Sequence, residues 1–328
     1  MAKINVTTGE YVRPGLGVNN FKYVGDTGPT GGFLTAFVEL TAPIQVDLKA
    51  GTAAGDGMTS TGLKYVRYVS ATQGDDVLKG SDVGLLSQGF IGNGGDDDID
   101  GRGGFDYVMY DDEEDYGAAT EDGWANGFEG VVVDLVKGTA RDSYGDTDTL
   151  KNIEGVIGTS FADRIAGNSS ANHLVGQEGR DKLSGGRGND SLEGGNGPGN
   201  IPEAGGDGRD TLTGGRGEDV FVFRAVADSR PSSSKRDYIT DFKHATDDID
   251  VSAIDAKTKD GDQKFTLDEK GAADTAVKMG HIGWYQVDKS GSDNDRTILQ
   301  FNVNGDDAIE MQIELKGLVE LTKSDFIL

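Results

Sequence analysis

Residues Gly158 to Phe223 read GTSFADRIA, GNSSANHLV, GQEGRDKLS, GGRGNDSLE, GGNGPGNIPEA, GGDGRDTLT and GGRGEDVFV, with Phe223 following. Six of these seven units hold nine residues; the fifth holds two more. A regular unit runs glycine, glycine, any, glycine, any, aspartate, any, large apolar, any. The sixth position carries Asp163, Asn172, Asp181, Asp190, Asp210 and Asp219. The eighth carries Ile165, Leu174, Leu183, Leu192, Leu212 and Phe221. Glycines near the start of a unit suit a tight turn with positive φ. Each unit therefore reads as one turn and one very short strand with a single inward side chain.

If each unit reverses the chain, two units make one coil. Turns on one edge then lie 18 residues apart, the separation of Asp163 and Asp181. Adjacent coils sit about 4.8 Å apart, so carboxylates and turn carbonyls converge on a gap between them. A hard cation fills such a gap: calcium takes roughly six to eight oxygen ligands at about 2.4 Å. Without it, stacked like charges repel, so metal binding and folding are expected to be one event. The expected carboxylate and amide ligands are Asp163, Asn172, Asp181, Asp190, Asp207, Asp210 and Asp219. The turn residues expected with them are Gly158, Ser160, Gly167, Gly176, Glu178, Gly179, Gly185, Arg187, Gly188, Gly205, Gly208, Gly214 and Arg216. The fifth unit has Gly199 where the acid belongs, so a bulge and a weakened site are expected there.

A longer repeat surrounds this one. Ile44 to Gly80 aligns without gaps on Val131 to Gly167 at an offset of 134 − 47 = 87, taken from Asp47 and Asp134. Each copy opens with a VDL strand followed by GTA, read as a loop. In the first copy, ATQGDDVLK places Asp76 and Leu78 in phase. After an apparent insertion, Ser81 to Ile91, the units GNGGDDDID and GRGGFDYVM place Asp97 and Asp106 in phase, on opposite edges. Asp76, Asp97 and Asp106 join the expected calcium ligands. The acidic run Asp111 to Asp115 reads as a solvated face.

The nonapeptide pattern resembles the repeats-in-toxin (RTX) family of secreted bacterial proteins. That resemblance implies calcium-dependent folding outside the cell and export through a one-step ABC-type (type I) exporter. DYITDFKHATDDIDVSAIDA, Asp237 to Ala256, is similar to the C-terminal domain of serralysin-type secreted metalloproteases. The final residues, Ser324 to Leu328, put an acid before a few hydrophobes, which resembles the uncleaved signal of type I substrates.

The expected architecture is all-β: a right-handed parallel β-roll (a β-solenoid) in two modules, then a β-rich C-terminal cap. Residues 1–43 would form an N-terminal cap or strand segment, with strands near Ile4 to Val6 and Phe33 to Leu40. Residues 44–130 form the degenerate first module, 131–223 the second, and 224–328 the cap carrying the secretion signal. The roll is expected to end at Phe223. TILQFNVNG and AIEMQIELKG alternate with period two and read as a hairpin.

Composition agrees with a cation partner. There are 57 acids against 31 bases, a formal charge of −26, which argues against nucleic acid or an anionic membrane surface. Glycine numbers 52 and proline 6, favouring stacked tight turns over a Pro/Gly linker. The absence of cysteine excludes disulfides and thiolate chemistry. No apolar leader and no window long enough to span a bilayer is visible. His173, His244 and His281 form no HExxH, and there is no GxSxG. His173 is expected on the surface. Tyr107, Tyr110, Tyr116 and Trp124 could line a sugar-stacking platform or serve as core and capping residues. The favoured function is therefore a secreted calcium-binding protein without catalysis, serving adhesion, surface coating or matrix structure. Two alternatives stand beside it: the targeting portion of an enzyme acting on extracellular polymers, and a calcium-dependent carbohydrate-binding module. Extracellular polysaccharide or a cell surface is the corresponding partner.

Overall fold

An inward hydrophobe on every coil needs a neighbour above and below, and the second unit supplies it. A computed structural model describes residues 34–36, 42–55, 58–61, 63, 66–82, 87–110, 129–195, 208–257, 263–273, 275–289, 291–305 and 308–328. These fall into two compact units, Met1–Ile157 and Gly158–Leu328. In the second, successive strands alternate between two parallel sheets. Arg164–Ala166 pairs with Lys182–Arg187 in the register Arg164↔Lys182, and His173–Val175 pairs with Ser191–Glu193 as His173↔Ser191. Ile165, Leu183, Leu212 and Ile239 form one inward column; Leu174, Leu192, Phe221 and Ile249 form the other. All are at most 1 % exposed. Each contributes roughly 1.5–3 kcal/mol of burial.

The register explains what happens at the irregular fifth unit. Lys182 pairs with Thr211 and Ser191 with Val220, steps of 211 − 182 = 29 and 220 − 191 = 29. The excess over 18 is 11, the length of that unit. In the ladders the third unit is therefore followed by the sixth and the fourth by the seventh, with no rung from the fifth between them. The bulge expected there, with Gly205 and Asp207, lies outside the described residues.

The roll does not end at Phe223. Thr211 pairs with Tyr238 and Val220 with Asp248, both parallel, and Ile249 then pairs with Phe326. The C-terminal strand Phe326–Ile327 is thus the last rung of one sheet. The glycine period fails after Phe223 because the connecting turns lengthen, but an acid two residues before an apolar residue persists in Asp237-Tyr-Ile239 and Asp247-Asp-Ile249. The expected hairpin is present: Arg296–Asn302 and Met311–Lys316 are antiparallel, Phe301↔Met311. Met311–Lys316 also joins Tyr238–Ile239 in parallel. Glu314 fixes this junction by ion pairs to Arg209 at 3.2 Å, Arg236 at 2.7 Å and Arg296 at 2.9 Å. The Arg209 and Arg296 guanidinium groups lie 5.3 and 5.0 Å from the Tyr238 ring centre.

The first unit is built the same way. Tyr68–Ser70, Gly89–Ile91, Tyr107–Met109 and Gly155–Ile157 stack in parallel, with Val69, Phe90, Val108 and Val156 inward and all 0 % exposed. Leu34–Ala36 pairs with Tyr68–Ser70. The other expected N-terminal strand, and Asp111 to Asp115, lie outside the described residues. Ser81 to Ile91 is not a plain insertion, because Gly89–Ile91 is a rung. It went unseen because Gln88, not an acid, precedes it. GTA is not a loop either. Ile44–Asp47 and Thr52–Gly55 form a hairpin with Asp47↔Thr52, and Val132–Asp134 and Thr139–Arg141 repeat it as Asp134↔Thr139. Gly51 and Gly138, also 87 apart, turn both hairpins at φ +67° and +68°.

Candidate metal centre

The sixth-position side chains point inward at the turns. Asp76, Asp97, Asp106, Asp163, Asn172, Asp181, Asp190, Asp210 and Asp219 are each at most 3 % exposed. Oδ1 of Asp97, Asp106, Asp181, Asp190, Asp210 and Asp219 stitches the stack by accepting a main-chain amide from a neighbouring coil. The main-chain amide of Asp163 donates to Oδ1 of Asp181, that of Asp181 to Asp210, and that of Asp210 to Asp237, at 2.8, 2.8 and 2.9 Å. On the opposite edge Asn172 donates to Asp190, Asp190 to Asp219 and Asp219 to Asp247, at 2.8, 3.1 and 3.3 Å. The first unit repeats the device from Asp76 to Asp97 at 2.7 Å and from Asp97 to Asp148 at 3.2 Å. In the same unit Asp106 accepts from the amide of Gln88 at 2.9 Å.

The second oxygen separates two kinds of turn. In irregular units the second-position amide of the same turn meets the acceptor: Thr72 donates to Oδ2 of Asp76 at 2.7 Å, Thr159 to Oδ2 of Asp163 at 2.7 Å, and Asn168 to the single side-chain oxygen of Asn172 at 2.8 Å. Thr72 and Thr159 add their hydroxyls. In glycine-rich units it stays buried without a hydrogen bond, at Oδ2 of Asp106, Asp181, Asp190 and Asp219. Sequence phase alone treats both kinds as equivalent.

The first glycine of a unit is required by close approach and not by its φ. A side-chain carbon at Gly158, Gly176, Gly185 or Gly214 would overlap Oδ2 of Asp163, Asp181, Asp190 or Asp219. Positive φ belongs instead to later turn positions, such as Gly186 at +103° and Gly188 at +108°. The carbonyl oxygens of Gly176 and Gly194 lie over Gly158 and Gly176, each 2.9 Å from where a side-chain carbon would sit. Carbonyls thus line the same edge as the carboxylates.

Electrostatics reports the strain of this arrangement. Burial pushes the Asp76 and Asp190 carboxyls up to about 6 and Asp106 up to about 7. Asp181 and Asp210 rise as well, chiefly by burial, with the Asp210 and Asp163 charges adding to Asp181 and the Asp228 charge adding to Asp210. Asp237 is raised for the same reasons. An unpaired buried carboxylate oxygen costs several kcal/mol unless a proton or a cation meets it. Among the described residues no three acid or histidine side chains form a ready cage. The available donors are one or two carboxylates with main-chain carbonyls, all oxygen, a set that suits calcium and not zinc.

Sequence phase missed Asp148, Asp237 and Asp247, which continue the two edges, and the buried Asp228 beside them. The signal was there in DTL, DYI and DDI, acid two before apolar, without the glycines. His173, expected on the surface, is half-buried there: its side chain is 19 % exposed, with Nε2 4.0 Å from the buried Glu193 carboxylate. Tyr110 is fully buried, and its hydroxyl donates to Oδ2 of Asp148 at 3.1 Å, a core role. Tyr107 is half-buried with its ring centre 5.4 Å from that of Phe105. Tyr116 and Trp124 lie outside the described residues. No helix among the described residues is long and apolar enough to cross a membrane.

Two solution structures, the AlgE6R3 and AlgE6R2 subunits of the Azotobacter vinelandii mannuronan C5-epimerase, are each 26% identical. They cover 51% of this chain and 78% and 88% of their own, with TM-scores of 0.34 and 0.36. The extracellular lipase LipA from Serratia marcescens is 16% identical over 94% of this chain and 45% of its own, with a TM-score of 0.20. No curated protein matches. The Peptidase M10 serralysin C terminal family model matches residues 83–328, the greater part of the sequence. With RTX nonapeptides, a parallel roll and that match together, the chain belongs to the serralysin C-terminal family, a family of RTX type.

Proposed function

We propose that this is a secreted calcium-binding protein whose roll is completed by calcium outside the cell, and whose role is adhesion, surface coating or matrix structure without catalysis. The supporting observation is the set of buried, unpartnered Oδ2 atoms at Asp181, Asp190 and Asp219. Calcium between coils would meet the buried charge that those oxygens otherwise carry unpaired. The flanking glycine carbonyls would complete its shell. Asp106 is the corresponding candidate in the first unit. Asp76, Asp163 and Asn172 have their oxygens met by their own turns and fill a structural role in this reading. Extracellular modules bind calcium at about 10⁻⁴–10⁻³ M, so the chain would stay unfolded in a low-calcium cytosol. That state suits threading through a type I exporter. Far-UV circular dichroism in EGTA and then in calcium tests the proposal; identical spectra would refute it.

A second reading is favoured by the family itself, which is described as a C-terminal portion. The chain would then be the targeting part of an enzyme acting on extracellular polymers. An open reading frame running upstream of Met1 distinguishes that reading. A polysaccharide pull-down with calcium present tests the carbohydrate-binding alternative.

A further inference from the structure

One loop of the first unit gathers acids that lie outside every nonapeptide. It joins the strands Thr139–Arg141 and Thr147–Lys151, which pair antiparallel. Asp142 sits at its start and is 0 % exposed. Its Oδ1 accepts the main-chain amides of Tyr144, Gly145 and Asp146 at 3.0, 2.7 and 2.7 Å. Its Oδ2 is buried with no hydrogen bond. Close by stands Asp148, 1 % exposed, which accepts from the Asp97 amide at 3.2 Å and from the Tyr110 hydroxyl at 3.1 Å. Asp146 and Asp96 rim the loop and are held by the amides of Gly95 at 3.0 Å and Thr147 at 2.8 Å.

The first copy of the long repeat builds this region differently. At the offset of 87, Asp142, Asp146 and Asp148 correspond to Gly55, Thr59 and Thr61. There Ala53 pairs with Ser60, whereas in the second copy Ala140 pairs with Asp148, a register shifted by one residue. The loop with its buried acids is particular to the second copy. The cost is real. Burial pushes Asp142 up to about 6, and burial and then the Asp142 charge push Asp148 up to about 7. Ala140 faces Asp148 across the strand pair, which puts Asp142 and Asp148 on the same side of it, and Oδ2 of Asp142 is buried there without a hydrogen bond. A cation between the two would meet that oxygen.

We propose that Asp142 and Asp148 bind one hard divalent cation, calcium under extracellular conditions, at a site separate from the nonapeptide turns. Two carboxylates cannot fill a calcium shell, so main-chain carbonyls and water supply the rest. The Tyr110 hydroxyl orients Asp148 from behind, as outer-shell donors orient ligands elsewhere. The site would hold the hairpin of the second copy against the coil that carries Asp97, a cross-link the first copy lacks.

Calcium equilibrium dialysis of the full chain tests this against Asp142→Asn. The variant is expected to bind one ion fewer per chain while keeping the calcium-induced circular dichroism change that reports the nonapeptides. An unchanged count overturns the inference. Crystals of the unaltered protein grown with calcium give a readout that does not depend on the variant folding. Anomalous density beside Oδ2 of Asp142 supports the site. Density in the nonapeptide turns with none at Asp142 overturns this site alone, and density nowhere overturns the wider calcium reading with it.

Discussion

The main-chain amide of Asp181 donates to Oδ1 of Asp210 over 2.8 Å, although 29 residues separate the two. The same contact joins Asp190 to Asp219 at 3.1 Å on the other edge. Each acid is thus a stitch between coils before it is anything else. One oxygen holds the next coil, and in glycine-rich turns the other is left facing the turn with nothing to meet it. Stacking such residues inside the fold concentrates negative charge where water is scarce, and the repulsion grows with every coil added.

Removing calcium should therefore unfold the roll and not merely loosen it. A site at a hundred times its dissociation constant contributes about 2.7 kcal/mol, and three or four such sites together, about 8–11 kcal/mol, match the stability of an ordinary domain, about 5–15 kcal/mol. Purified protein in excess EGTA is expected to lose its β circular dichroism and become sensitive to protease, and to regain both on adding calcium. Magnesium at the same concentration should not substitute, since it demands a smaller octahedral shell and gives up water reluctantly.

Acidity should act in the opposite sense to its usual effect on a carboxylate-rich protein. Free aspartate titrates near 3.9, whereas burial holds Asp76 and Asp190 at about 6 and Asp106 at about 7. A folded pKa above the unfolded one means the fold retains the proton more tightly. That stability is fully present below about pH 4 and is lost as pH rises through roughly 6 to 7. Metal-free protein, unfolded near pH 8, is expected to regain part of its β circular dichroism near pH 5, measured after exhaustive dialysis. Calcium affinity should run the other way, rising with pH because each ion displaces protons. Metal-free protein with more β signal at pH 8 than at pH 5 would contradict the first statement, and calcium affinity that falls with pH the second.

Asp190 and Asp163 sit in the same phase but should behave differently. Oδ2 of Asp190 has no hydrogen bond, while that of Asp163 receives the Thr159 amide at 2.7 Å. Asp190→Asn removes the charge a cation needs and should weaken calcium binding by about tenfold or more, roughly 1.4 kcal/mol. Asp163→Asn leaves an amide oxygen able to accept from Thr159, so calcium binding should change little. Asn172 already fills the sixth position in that manner, accepting from Asn168 at 2.8 Å. Equal losses of affinity in the two variants would show that hydrogen bonding within the turn does not decide which acids hold metal.

The parallel roll was legible because period and phase are properties of the chain alone. Leu183 and Asp181 announce themselves by spacing, and their places in the ladder follow. What escaped the sequence was whatever breaks the period without breaking the ladder. Gly89–Ile91 is a rung that lacks an acid, because Gln88 leads into it. Tyr238–Ile239 and Asp248–Asp250 are rungs reached through longer turns, so no glycines mark them. The eleven-residue fifth unit failed in reverse, since it looks like a rung and adds none. Nor could phase reveal that Thr159 meets the Asp163 carboxylate while Asp190 goes without. That depends on which way the turn amide points.

Gly185 offers the sharpest test of why glycine opens each unit. Its backbone is not in the left-handed region, so conformational reasoning alone would have Gly185→Ala stabilise by about 0.4–1 kcal/mol through the unfolded chain. The structure argues otherwise, because the new methyl group would overlap the Asp190 carboxylate, including Oδ2. That carboxylate cannot retreat, being held by the Asn172 amide at 2.8 Å. Overpacking of this kind costs about 1–3 kcal/mol. Displacing Oδ2 should also weaken calcium binding, so the variant should melt lower in calcium and need more calcium to fold. Gly317→Ala is the contrasting case: it meets nothing within 4 Å but sits at φ +88°. It should lower stability by about 1 kcal/mol through backbone strain and leave calcium affinity untouched. Calcium titrations followed by circular dichroism separate the two. If Gly185→Ala stabilised the protein, the close seat of the carboxylate on the first glycine would be the feature to discard.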